Sequence, residues 1–100
     1  MIKLAIQTND SDLQSCKALI QGAVDQEIHR LRLSLERTDQ ALNQLEKKYQ
    51  ISSQTFRENG VAEDLEGGDE EYITWMGEIK IKEQLLTNLR QLEQIEYVTN

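Results

Sequence analysis

From Val24 to Tyr49, apolar and small side chains recur at alternating steps of four and three: Val24, Ile28, Leu31, Leu35, Thr38, Leu42, Leu45 and Tyr49. That alternation keeps one stripe on one side of an α-helix over several turns, the pattern of a coiled coil or a long-helix hairpin. One helix cannot bury such a stripe alone, so the chain must pack it against other helices. Nothing breaks the pattern: the chain has no proline and only five glycines.

The segment around the seam sets its ends. Ser11 followed by Gln14 fits a capping box, and a helix is predicted over 12–50, roughly 55–60 Å long at ~1.5 Å per residue. Before Val24 the apolar positions Leu13, Ala18 and Ile20 are less regular, and Gly22 weakens the helix locally. Upstream, in 1–10, Ile2, Leu4 and Ile6 alternate with Lys3, Ala5 and Gln7. This reads as a short strand or an extended arm. A lone strand is not stable, so the arm is either a loose tail or a strand that adds to a sheet edge in a partner.

A second helix is predicted over 69–97. Asp69 is a candidate N-cap, and Glu70 and Glu71 fall in the first turn, where they complement the helix dipole. Its stripe runs through Tyr72, Trp75, Met76, Ile79, Leu85, Leu86, Leu89, Leu92 and Ile95, and Gly77 would allow a close helix approach. Between the helices, 51–68 form an elbow. Ser52 or Ser53 is placed to cap a short helical turn carrying Phe56, and Asn59-Gly60 marks a turn. The expected fold is all-α: one domain, two long helices in an antiparallel coiled-coil-like hairpin, with a short N-terminal strand or arm. Val24, Ile28, Leu31, Leu35, Leu42, Leu45 and Tyr49 of the first helix meet Ile79, Leu86 and Leu89 of the second.

Charge is placed unevenly. The formal net charge is −7, and seven acids between Glu58 and Glu71 equal it, with no basic residue among them. They are Glu58, Glu63, Asp64, Glu66, Asp69, Glu70 and Glu71. Direct nucleic-acid binding is disfavoured, since phosphate neutralisation needs a basic surface. A basic protein partner is favoured by the same field. The apolar run Leu4-Ala5-Ile6 is too short for a signal peptide or a membrane span, and an amphipathic membrane-surface helix would need a basic excess. A cytoplasmic protein is expected.

Catalytic chemistry is not visible. Cys16 is the single cysteine and His29 the single histidine, so no zinc-type cluster can be assembled. Asp25 and His29 share a helix face, but no further ligand accompanies them. No Ser-His-Asp set, phosphate loop or thiol–histidine arrangement is present. Gly67-Gly68-Asp69-Glu70 matches the start of the GGDEF signature of diguanylate cyclases, but here the run opens an amphipathic helix. No catalytic, metal or cofactor-binding residue is assigned, and the chain is not expected to be an enzyme. The candidates that remain are Phe56, Glu63, Asp64, Glu66, Tyr72 and Trp75. The aromatics are either a plug closing the hairpin or anchors for a partner, and the acids either a solvated loop or an epitope for a basic protein.

The run Lys48-Tyr49-Gln50-Ile51-Ser52-Ser53-Gln54-Thr55-Phe56, then Gly68-Asp69-Glu70-Glu71-Tyr72 and Trp75, resembles a group of small acidic helical proteins of bacteria and archaea. They share a K-Y-x-x-S-S-x-x-F segment followed by G-D-x-E-x-x-x-W. Many are encoded beside a small toxin, often of ribonuclease type, and are taken for its antitoxin. The resemblance covers roughly residues 45–95; members often carry glycine where this chain has Gln50, and their linkers differ in length. It implies a protein-binding role, in a homo- or hetero-oligomer, that masks a basic toxin-like partner. The alternative is a self-associating coiled-coil structural or adaptor protein.

Overall fold

A computed structural model describes residues 1–9, 11–60 and 65–99. The element order is β1 (Ile2–Ile6), α1 (Leu13–Tyr49), α2 (Ser53–Asn59), α3 (Gly68–Glu93) and β2 (Ile95–Thr99). The molecule is a rod of 63 × 20 × 18 Å.

The hairpin forms as its periodicity demands. All eight seam positions of α1 are buried or half-buried. Three cross-helix pairs set the direction: Lys48 with Glu71, Asp39 with Lys82 and Arg32 with Glu93. Numbers fall on α1 as they rise on α3, so the helices run antiparallel. On α3 the positions Tyr72, Trp75, Ile79, Lys82, Leu86 and Leu89 follow steps of three and four. Lys82 occupies one of them and reaches across to Asp39 Oδ1 at 2.7 Å, which is why this stripe looks less strict in apolar residues. Leu86 lies at the margin, 39% exposed, while Ile79 and Leu89 are buried.

The expectation of an all-α fold needs correction at the C-terminal end. α3 stops at Glu93, and Ile95–Thr99 form a strand rather than the last turn of a helix ending at Tyr97. β2 pairs in parallel with β1, in register from Ile2↔Ile95 to Ile6↔Thr99. The segment Ile-Glu-Tyr-Val-Thr is rich in β-branched and aromatic residues, which favour a pleated, half-buried surface. Within the arm, Ile2–Ile6 is therefore a strand whose partner lies in the same chain. Its register sets Ile2, Leu4 and Ile6 on one sheet face with Ile95 and Tyr97, and Leu4, Ile6, Ile95 and Tyr97 are the less exposed residues of that face.

Lengths explain the switch from helix to strand. α1 has 37 residues and α3 has 26, about 55 Å and 39 Å at ~1.5 Å per residue. The five residues of β2 add about 16 Å at ~3.3 Å per residue, so α3 and β2 together match the length of α1. Glu93, the last residue of α3, lies level with Arg32. Val24 and Ile28 fall beyond that level, where β2 runs, so the helix–helix seam proper spans Leu31 to Tyr49. The irregular spacing of Leu13, Ala18 and Ile20 belongs to the sheet-flanked half of α1.

Caps correct three further details. The N-cap of α1 is Asp12, which accepts from Ser15 N–H at 3.3 Å, rather than Ser11. α3 begins at Gly68 after Gly67, and Asp69 lies in its first turn beside Glu70 and Glu71 instead of capping it. Gly77 does not mediate a close helix approach: a Cβ built there meets nothing within 4 Å.

Candidate partner-binding site at the elbow

The elbow holds the main core of the molecule. Leu42, Phe56, Leu65, Trp75 and Ile79 form one buried cluster, with Leu45, Tyr49, Ile51, Tyr72 and Met76 packed against it. The backbone leaves α1 through Gln50 in the left-handed region, φ 57°. Ser52 then caps α2, its hydroxyl accepting from Thr55 N–H at 3.1 Å. That short helix carries Phe56 inward. It ends at Gly60, where a Cβ would collide with the Phe56 ring. Gly68, at φ +59°, turns the chain into α3.

Three rings stack through the centre. Phe56 lies on Trp75 with centroids 3.9 Å apart and planes 5° from parallel. Tyr49 stacks on Trp75 at 5.8 Å, and Tyr72 meets the Phe56 ring edge-on at 5.5 Å. Polar groups lock this stack. The indole N–H of Trp75 donates to Ser53 Oγ at 2.9 Å, and Ser53 N–H donates to Glu46 Oε2 at 2.7 Å. The Tyr49 hydroxyl donates to Glu71 Oε2. Lys48 Nζ donates to Glu71 Oε1 at 2.6 Å. The Lys48 ammonium, and secondarily the Tyr49 hydroxyl, hold the Glu71 carboxyl below the usual carboxylate range, and Glu71 raises Lys48 in return.

These contacts give each residue of the K-Y-x-x-S-S-x-x-F and G-D-x-E-x-x-x-W pattern a place in the elbow. Lys48 and Tyr49 clasp Glu71, and Ser52 caps α2. Ser53 holds Trp75, Phe56 stacks on it, Gly68 supplies the turn, and Asp69 and Glu71 face the dipole of α3. Phe56 and Trp75 are 1% and 0% exposed, so they serve as the plug and present no surface to a partner. Tyr72 is half-buried and Glu66 is exposed. Glu63 and Asp64 lie outside the described residues.

What the elbow shows to solvent is different. Glu58, Glu66, Asp69 and Glu70 are exposed. On α3, Ile73 is 69% exposed, one helical turn beyond Asp69 and Glu70 and so on their face. Reading the sequence for stripes missed Ile73 because it falls off the buried stripe; its signal was an isoleucine one turn beyond paired acids. A groove beside α2 is lined by Leu42, Ile79 and Leu86 together with the ion pairs Asp39–Lys82 and Arg57–Glu83. Its charged groups are satisfied internally.

Elsewhere the described residues include no group of three or more His, Cys, Asp or Glu side chains able to hold a metal ion. Asp25 and His29 are exposed on α1. Asp25 lies near Tyr97, whose phenol pKa is raised by burial and then by that carboxylate. No helix among the described residues is long and apolar enough to cross a membrane. No family model, no curated protein and no solved structure matches the chain.

Proposed function

We propose that the chain is a protein-binding helical module that docks a basic protein at its elbow and masks it, as an antitoxin masks a ribonuclease-type toxin. The observation that carries this reading is the pairing of Ile73 with exposed carboxylates on a rigid mount. An exposed isoleucine supplies apolar contact area, and the acids around it select and steer a cationic partner. The aromatic clasp beneath them keeps that surface from rearranging, which lowers the ordering cost of binding. Masking would be steric and electrostatic, with no catalytic step.

Co-expression with the product of the adjacent reading frame, followed by co-purification, tests the reading. A stable complex with a basic protein is expected, and it is lost in the variant D69K/E70K/I73D. A neighbour that does not co-purify, or a complex that survives those three changes, overturns it.

A further inference from the structure

Strand β1 has one bonded edge and one open edge. The Ile2 N–H donates to the Gln94 carbonyl at 3.1 Å, at the start of the β1–β2 ladder. Backbone groups of successive residues address opposite edges of a strand. Ile2, Leu4 and Ile6 therefore address β2, while Lys3 and Ala5 turn their N–H and C=O groups to the other side. Among the described residues no third strand lies there, and Lys3 and Ala5 are exposed. Parallel strands normally belong to larger sheets covered on both faces, and a two-stranded sheet is marginal in water.

We propose that a second copy of the chain completes this edge, β1 against β1, antiparallel about a two-fold axis at Leu4. The open groups are self-complementary in that register. Lys3 of each copy exchanges both backbone hydrogen bonds with Ala5 of the other, and Leu4 faces Leu4 in the closely spaced, non-bonded position. Ile2 comes opposite Ile6, so the apolar face of each β1 continues into the other across the axis. The result is a mixed sheet of order β2-β1-β1-β2, with no break in its inward face.

Charge selects this edge and this direction. β1 is Ile-Lys-Leu-Ala-Ile and holds no acid, whereas β2 carries Glu96. Two chains of net charge −7 repel. The antiparallel arrangement sends the acidic elbows to opposite ends of the assembly. Each hairpin is 63 Å long, far beyond the ~8–10 Å over which charges act at ordinary ionic strength. On the outward face Lys3 meets Ala5 and not another lysine, so no like charges stand opposite each other.

Light scattering and sedimentation of the full chain at tens of micromolar test this. The wild type is expected at twice the monomer mass. Ala5→Pro removes only an outward N–H, which an edge strand tolerates, and gives a monomer with wild-type helical circular dichroism. Ala5→Lys and Ala5→Glu provide a readout that does not depend on the proline variant folding. Lysine at position 5 stands opposite Lys3 of the other copy and glutamate pairs with it, so the glutamate variant dimerises about tenfold more tightly. Overall charge alone would give the opposite order. A wild-type monomer at every concentration, or equal affinities for the lysine and glutamate variants, overturns the proposal.

Discussion

Phe56 and Trp75 lie face to face, 3.9 Å between centroids, although they come from different helices and neither is on α1. This contact ties the short helix α2 to α3. It closes the hairpin at the end where the connection between α1 and α3 must reverse direction. Phe56→Ala or Trp75→Ala is expected to cost about 3–5 kcal/mol, the range for a large aromatic removed from a packed core. Trp75→Phe keeps a ring but loses the donor to Ser53 Oγ, and should cost less, about 1–2 kcal/mol. Urea unfolding followed by circular dichroism measures both. Equal losses for Trp75→Phe and Trp75→Ala would refute the stack as the main contribution.

The elbow lock should respond to acid. Folding depresses the Glu71 pKa, so its contribution is present above the unfolded-state value of about 4.3 and is lost as pH falls through the lower folded value. The Lys48 pKa is raised, so its share is full below its unfolded value and is lost only as pH rises through the folded one. Midpoints of thermal unfolding in wild type and Glu71→Gln should therefore differ by a constant amount near neutral pH and converge in acid, as pH falls through the lowered folded value. A gap that persists in acid would contradict the clasp.

Much of the hairpin was legible because a four-three repeat has one physical solution, burial against another helix. The elbow residues were legible as a set but not as a mechanism. Ser53 and Trp75, or Lys48 and Glu71, are more than twenty positions apart, and no local pattern reports which pairs meet. The C-terminal strand was missed because Leu92 and Ile95 continue the helical spacing, while Ile95, Tyr97 and Thr99 also alternate. What decides between the two is the length of α1 left uncovered beyond Glu93, a tertiary quantity. Lys82 hid the regularity of α3 because its ion pair with Asp39 stands where an apolar residue was sought.

Glycine positions give a signed series. Gly77 and Gly22 are in helix interiors with open space where a Cβ would go, so alanine at either is expected to stabilise by about 0.5–1 kcal/mol and raise Tm by a few degrees. Gly60→Ala collides with the Phe56 ring and carbonyl, and Gly68→Ala forces a left-handed conformation on a residue with a Cβ. Both should destabilise by about 1 kcal/mol or more.

Gln50 takes the opposite sign. It holds the left-handed C-cap of α1, φ 57° and ψ 36°, a site that favours glycine. Its side-chain amide donates to the Lys47 carbonyl at 2.7 Å, which offsets part of the backbone cost. Gln50→Gly should raise stability by about 0.5 kcal/mol, measured by urea titration. A loss of stability would show that the amide bond outweighs the backbone term.

The proposed docking of a basic protein rests on the exposed acids and Ile73 at the elbow. Its most direct test is the dissociation constant of the complex with the co-expressed neighbour as salt is raised from low to high concentration. Wild type is expected to weaken at least tenfold as the exposed charges are screened, and D69K/E70K to bind weakly at low salt with little further dependence. Equal affinities for the two proteins, or a wild-type constant unmoved by salt, would contradict the account.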